Sequence, residues 1–237
     1  MTAINKYFDH VYCLSLPESK ERQEMTLSRA HKFGLSFSFY PAISGKLFGD
    51  IFSGYRDSRD TSITNPNYMA CALSHLSIYR DALANGHKRI LIIEDDLLFH
   101  KSMNENFSSF IDEVPDDWWL LYFAWIPLTD DLMYWDYSII DNNFISPNVF
   151  KAKNLWSAMS YGINEQCMNW MINRYNESFN KEIDKIFVEE IQTNYPCYGL
   201  APQLFSGYDN LSNNSGNFDS IFFKSFDARR AKPNEYI

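Results

Sequence analysis

Lys88-Arg89-Ile90-Leu91-Ile92-Ile93-Glu94-Asp95-Asp96 begins with two cations, runs through four β-prone apolar residues and stops on three acids. A continuous apolar run of this length reads as a strand buried on both faces of a parallel sheet. In open α/β sheets ligands bind beyond the carboxyl ends of the strands, which is where Glu94, Asp95 and Asp96 fall. Adjacent carboxylates repel one another and resist ionisation unless a cation compensates them. A hard divalent cation with oxygen ligands supplies that charge, and a diphosphate leaving group needs the same cation as negative charge develops on it.

Upstream of this strand, HVYCLSL (residues 10–16) reads as another buried strand, followed by Pro17 and a helix over 18–33 closed by Gly34. A second strand over 35–40 completes a β-α-β opening. Residues 41–65 are polar, contain Gly45, Gly49 and Gly54, carry Lys46, Arg56 and Arg59, and form a long connection of the functional or mobile kind. Asn65 is the expected cap of the next helix, with Pro66 at its first position and Gly86 at its end. Met69, Leu73, Leu76 and Leu83 form its apolar stripe, which leaves Ser74 and His75 off the core. Downstream, a helix is expected over 102–113, a central strand over 118–125 and a hairpin turn at Asp141-Asn142-Asn143 within 133–151. A strand over 155–163, helices over 165–175 and 182–194, a short strand after Pro196 and a Ser/Asn/Gly-rich tail complete the pattern. It reads as one α/β domain over 1–237, an open sheet with helices on both faces, its core over about 8–217.

Composition narrows the function. A net charge of -9 and a pI near 5.0 argue against a nucleic-acid partner and offer no polybasic patch for anionic lipid. No segment approaches the ~20 apolar residues of a membrane span, and the N-terminus lacks a signal-peptide core, so a cytoplasmic location is expected, with peripheral membrane contact left open. Cys13, Cys71, Cys167 and Cys197 form no CxxC pair, which indicates neither a zinc site nor a dense disulfide framework, and Cys13 and Cys71, within apolar patterns, read as buried free thiols. The abundance of aromatics (15 Tyr, 19 Phe, 6 Trp) suits a core first and a sugar-binding cleft second.

Three other readings fit parts of the acidic cluster. The acids could simply begin a solvated turn. A response-regulator receiver also has a strand like ILIIEDD, but 89 residues precede Ile90 and the strand over 118–125 ends without the phosphorylatable Asp, so that reading fails. A metal-dependent phosphatase or nuclease is compatible with the triplet.

The ordered series VYCLSLPESKERQ (11–23), FSFYPAISG (37–45), CALSHLSIYRDALANG (71–86), RILIIEDDLLF (89–99), DWWLLYFAW (117–125), SAMSYGINEQCMNWMI (157–172), EIDKIFVEE (182–190) and YGLAPQLFSGYDNLSNNSG (198–216) resembles glycosyltransferase family 25. That group includes lipooligosaccharide and collagen galactosyltransferases. Ala42 and Gly45 fall on its Ala-x-x-Gly pattern, Ser74, His75 and Leu76 on its Ser-His-Leu core, and Pro202 and Ser212 on its terminal segment.

The resemblance implies a Rossmann-like GT-A architecture, a UDP-sugar donor, Mn2+ or Mg2+, and inverting transfer of a hexose, galactose above others, to a glycan or glycoconjugate acceptor. Glu94 and Asp96 match the outer acids of a DxD-type motif, Asp96 as the direct metal ligand, with Asp95 facing the ribose or supporting the ligands. Ser74 and His75 are candidates for the donor site, against a buried His bridging backbone groups. Arg22 is a candidate for the diphosphate, against a solvated helix charge, and Asp184 for the base, against a plain helix cap. All five histidines precede residue 101, so Asp209 or water would have to replace a late histidine ligand, and Asn213 rather than Asp follows Ser212. The competing class is a non-catalytic relative that binds nucleotide or glycan.

Overall fold

The computed structural model describes residues 1–52, 65–128, 137–207 and 233–237. In chain order the elements are α1 (Ala3–Tyr7), β1 (His10–Ser15), α2 (Lys20–Phe33), β2 (Ser38–Pro41), α3 (Pro66–Ala84), β3 (Arg89–Glu94), β4 (Leu97–Phe99) and α4 (Met103–Phe110). There follow β5 (Leu120–Tyr122), β6 (Ile126–Pro127), α5 (Ser138–Asp141), β7 (Val149–Lys151), β8 (Leu155–Trp156), β9 (Ser160–Asn164) and α6 (Glu165–Glu177). The last are α7 (Ile183–Ile186), α8 (Gln192–Asn194), β10 (Cys197–Leu200) and β11 (Phe205–Gly207).

Seven strands form the main sheet in the order β2-β1-β3-β9-β5-β10-β7. β2, β1, β3, β5 and β10 run one way; β9, between β3 and β5, and the edge strand β7 run the other. The pleat divides the core in two. Tyr12, Leu14, Ile90, Ile92, Leu120 and Tyr122 point to the face covered by α3, α6 and α7. Val11, Cys13, Leu91, Ile93, Leu121 and Phe123 point to the face covered by α1, α2 and α4. This is the expected α/β open sheet with helices on both faces.

Local signals explain the ends that matter for the site. Gly34, at φ 65, closes α2 in the left-handed region that a residue with a Cβ enters at a cost. Asn65 caps α3 through a bond from the Asn67 N–H, with Pro66 beginning the helix as expected. Register sets Leu14 of β1 beside Glu94 of β3 and Ser15 beside Pro41 of β2, so three parallel strands end on one edge.

Three expectations are corrected. The stripe on α3 is wider and differently placed: Ala70, Ala72, Ser74, His75, Leu76, Ile78, Tyr79 and Ala82 are buried, while Met69 is only half-buried. The helix packs against the sheet and also against α6 and α7, so a single-sided stripe cannot describe it. Asp141-Asn142-Asn143 ends the short helix α5 rather than making a hairpin. The strand expected over 155–163 is broken at Ser157, whose φ of 122 separates β8 from β9. Of the long connection over 41–65, Gly45–Phe52 forms a 3-10 helix against α3. Gly54, Arg56 and Arg59, like Asp209, Ser212 and the rest of the tail over 208–232, lie outside the described residues.

Candidate active site at the carboxyl edge of the sheet

A cavity of about 410 Å³ opens where β1, β2 and β3 end. Its walls include Ser15 from β1, Ser19 and Arg22 from the start of α2, Ala42, Gly45 and Lys46, Cys71 and Ser74 from α3, and Glu94, Asp95 and Asp96. Volumes of ~300–1,000 Å³ are usual for small-molecule sites. Gly45 lets the chain approach the start of α3: a Cβ there would lie 2.2 Å from Asn67 Oδ1 and 3.0 Å from Asn67 Cα.

The three acids differ sharply in their surroundings. Asp95 is consumed internally. Ser15 Oγ donates to its Oδ2 at 2.5 Å, Arg22 Nη2 donates to its Oδ1, and Thr26 Oγ1 donates to its carbonyl at 2.8 Å. Gln23 Nε2 supports Ser15 Oγ at 3.0 Å. Asp95 therefore pins α2 and β1 to the end of β3. Asp96 is also buried, but only its Oδ2 meets Arg22, at 3.2 Å, while Oδ1 has no hydrogen-bond partner among the described residues. Burial first, then the Glu94 charge, pushes Asp96 up to about 7, with Arg22 opposing. Burial and the Asp95 charge likewise push Glu94 up to about 7.

Beneath Glu94 lies a polar seam inside the core. His75 is fully buried; its Nδ1 meets Tyr161 Oη at 2.7 Å, and Tyr161 Oη meets Tyr79 Oη at 2.5 Å. His75 Nε2 faces Glu94 Oε1 at 3.8 Å and has no hydrogen-bond partner among the described residues. Burial holds this imidazole neutral, pushed down to about 3. Ser74 Oγ donates to Ala70 O at 2.7 Å and accepts from the Ile43 N–H at 2.8 Å, tying α3 to the segment after β2.

Asp184 sits in the first turn of α7, whose cap position is Glu182. Its Oδ1 has no hydrogen-bond partner among the described residues, and burial followed by the Glu182 and Glu94 charges pushes it up to about 7. It is not on the cavity wall itself.

The model of glycosyltransferase family 25 (LPS biosynthesis protein) matches residues 8–187. The chain belongs to glycosyltransferase family 25. A glycosyltransferase 25 family member of Aedes aegypti is 25% identical over 137 residues, 53% of this chain and 23% of that protein. Human procollagen galactosyltransferase 2 is 23% identical over 127 residues, 48% of this chain and 20% of its own length. The human inactive glycosyltransferase 25 family member 3 is 26% identical over the same number of residues, 48% of this chain and 21% of its own. The chain thus spans less than a quarter of the length of these relatives. Among solved structures, a glycosyltransferase involved in the glycosylation of the major capsid of PBCV-1 superposes with a TM-score of 0.43 and 8% identity, covering 78% of this chain and 76% of that one.

Of the residues that the family pattern singled out, Arg22, Ser74, Glu94, Asp95 and Asp96 line one cavity, and His75 stands directly behind it. Arg22 is not a solvated helix charge: it bridges Asp95 and Asp96. His75 bonds to a tyrosine rather than to backbone groups. Asp184 is not the cap of its helix. Sequence reasoning missed Ser15, Thr26 and Gln23, which hold Asp95, and Cys71, read as a buried thiol but set on the cavity wall. The available signal for Cys71 was its i, i+4 spacing from His75 on α3, which places both on one helix face.

Proposed function

We propose that this glycosyltransferase moves a hexose, galactose foremost, from a UDP-sugar to the glycan of a lipopolysaccharide or glycoprotein acceptor, with inversion and with a divalent cation. The observation that carries this reading is Asp96 Oδ1, buried at a cavity and lacking a hydrogen-bond partner among the described residues, beside a Glu94 that also resists ionisation. Such a pair suits a hard cation, and Asp96 with Glu94 would hold Mn2+ or Mg2+. When bound, that cation supplies charge neutralisation for the departing diphosphate.

The remaining work falls to the protein. Arg22, fixed by two carboxylates, presents a cation at the same wall, and Lys46 also lines the cavity. The acceptor oxygen attacks the anomeric carbon from the face opposite UDP; the bond from that carbon to the diphosphate oxygen breaks and its electron pair leaves with UDP. The acceptor's proton passes to a base, for which the candidate is Asp184, buried and off the cavity wall, with a carboxyl pushed up to about 7. The names of relatives that are galactosyltransferases support the choice of hexose.

UDP titrated with and without Mn2+, followed by turnover of UDP-galactose, tests the reading. Metal-dependent UDP binding with turnover is expected; UDP binding indifferent to metal would refute it. A second reading, a nucleotide- or glycan-binding relative without turnover, is favoured by the Arg22 guanidinium occupying carboxylate oxygens of both Asp95 and Asp96, and by relatives whose names describe them as inactive. Metal-dependent binding without turnover on any donor would select it.

A further inference from the structure

Cys71 and His75, one turn apart on α3, converge with Glu94 at the end of β3. Cys71 Sγ, a ring nitrogen of His75 and a carboxylate oxygen of Glu94 all lie within 4.8 Å of one another. Tetrahedral zinc ligation at ~2.0–2.3 Å places donor atoms roughly 3.3–3.8 Å apart. The His75 Nε2 to Glu94 Oε1 separation of 3.8 Å lies at the upper end of that spacing, a few tenths of an ångström beyond an ideal nitrogen–oxygen pair. Nothing in the chemistry of a plain core histidine accounts for a fully buried Nε2 with no hydrogen-bond partner among the described residues, since leaving such a group unsatisfied costs ~1–3 kcal/mol.

The other side of the ring is prepared for ligation. Tyr161 Oη sits 2.7 Å from Nδ1 and is itself held by Tyr79 Oη at 2.5 Å. With Nδ1–H donating to Tyr161 Oη, whose own proton goes to Tyr79 Oη, the tautomer leaves the lone pair of Nε2 for a metal. Access exists as well, because Cys71 and Glu94 both line the cavity. A thiolate, an imidazole and a carboxylate form a mixed set that selects Zn2+ over Mg2+ or Mn2+, which prefer oxygen alone.

We propose that Cys71 Sγ, His75 Nε2 and Glu94 form a site for a thiophilic divalent cation, Zn2+ by choice, with the fourth position open to the cavity. The thiol proton leaves to solvent as the sulfur–metal bond forms. This site is distinct in chemistry from an all-oxygen donor site and does not depend on any reaction with a sugar nucleotide. Glu94 belongs to both ligand sets, so the two cations compete for it.

Titrating the metal-free, reduced protein with Co2+ tests the proposal without donor, acceptor or turnover. The expected result is one equivalent bound, with visible bands of tetrahedral intensity, a near-ultraviolet thiolate-to-cobalt band, and displacement of all of these by Zn2+. Cys71→Ser should abolish the thiolate band, and Zn2+ affinity should fall about 100-fold or more. Tyr161→Phe, which keeps every ligand, should cost roughly 10-fold in affinity with the spectrum retained. Cys167→Ser, altering a buried thiol on α6, should leave the spectrum intact and controls for folding. Absence of tetrahedral bands in the folded parent protein, or a thiolate band that survives Cys71→Ser, would overturn the site.

Discussion

A carboxyl group buried with too few donors gives up its proton late, and Asp96 and Glu94 both do so at about 7. The sign for Asp96 is fixed by linkage. Its folded value lies above the ordinary 3.8, so between these values the folded chain binds more protons than the unfolded one. Stability from this group is therefore greatest at low pH, is lost as pH rises through that window, and does not return above 7. Asp96→Asn removes the penalty. At pH 8, without metal, the variant should be more stable than the parent by on the order of 1 kcal/mol, about 2–4 °C in melting temperature. The advantage should shrink towards pH 4, while transfer falls about 100-fold; a variant less stable than the parent at pH 8 would contradict this account. Asp184→Asn should lower kcat by roughly 100-fold or more and leave UDP binding in place, as measured by calorimetry. The three acids were legible in sequence as a cluster, and the family pattern already set Asp95 apart from Glu94 and Asp96; the partners that hold Asp95 were not legible. Asp95 is held by Arg22 and Ser15, which lie 73 and 80 positions away in the chain.

Elements with strong local punctuation were legible: β3 from its apolar run, α3 from Asn65 and Pro66, α2 from Gly34. Elements that depend on partners were not. β8 and β9 look like one strand until Ser157 turns the chain and the two halves join different sheets, β6 receiving one, β3 and β5 the other. Immediately afterwards Asn164 caps α6, accepting from the Cys167 N–H at 2.8 Å and donating through its amide to Trp118 O at 2.6 Å. That side chain anchors α6 to the approach of β5. Asn164→Ala should cost about 1–2 kcal/mol, seen as a matching fall in unfolding free energy by urea titration with an unchanged m-value. A change below the error of that titration would show that backbone and packing alone hold the junction.

At the scale of the molecule, the parallel pairing of β2, β1 and β3 leaves the three strands ending together, with α2 and α3 beginning at the same edge. A ligand there touches segments distributed over the first 96 residues and should stabilise the whole fold. UDP with Mn2+ at about 100 times its dissociation constant should add about 2.7 kcal/mol, and the rise in melting temperature should vanish when either component is omitted. No described helix is long and apolar enough to cross a membrane.

The apolar run before Glu94, the caps of α2 and α3 and the order of the family's motifs are local properties, so they are written in consecutive residues and survive without any knowledge of packing. Burial of His75, the bridge from Arg22 to two acids, and the meeting of Cys71 with Glu94 arise from segments brought together across the sheet. Charge and protonation follow the surroundings of a group in space. For that reason the brace built on Asp95 and the unsatisfied Oδ1 of Asp96 exist only once the fold has closed around these acids.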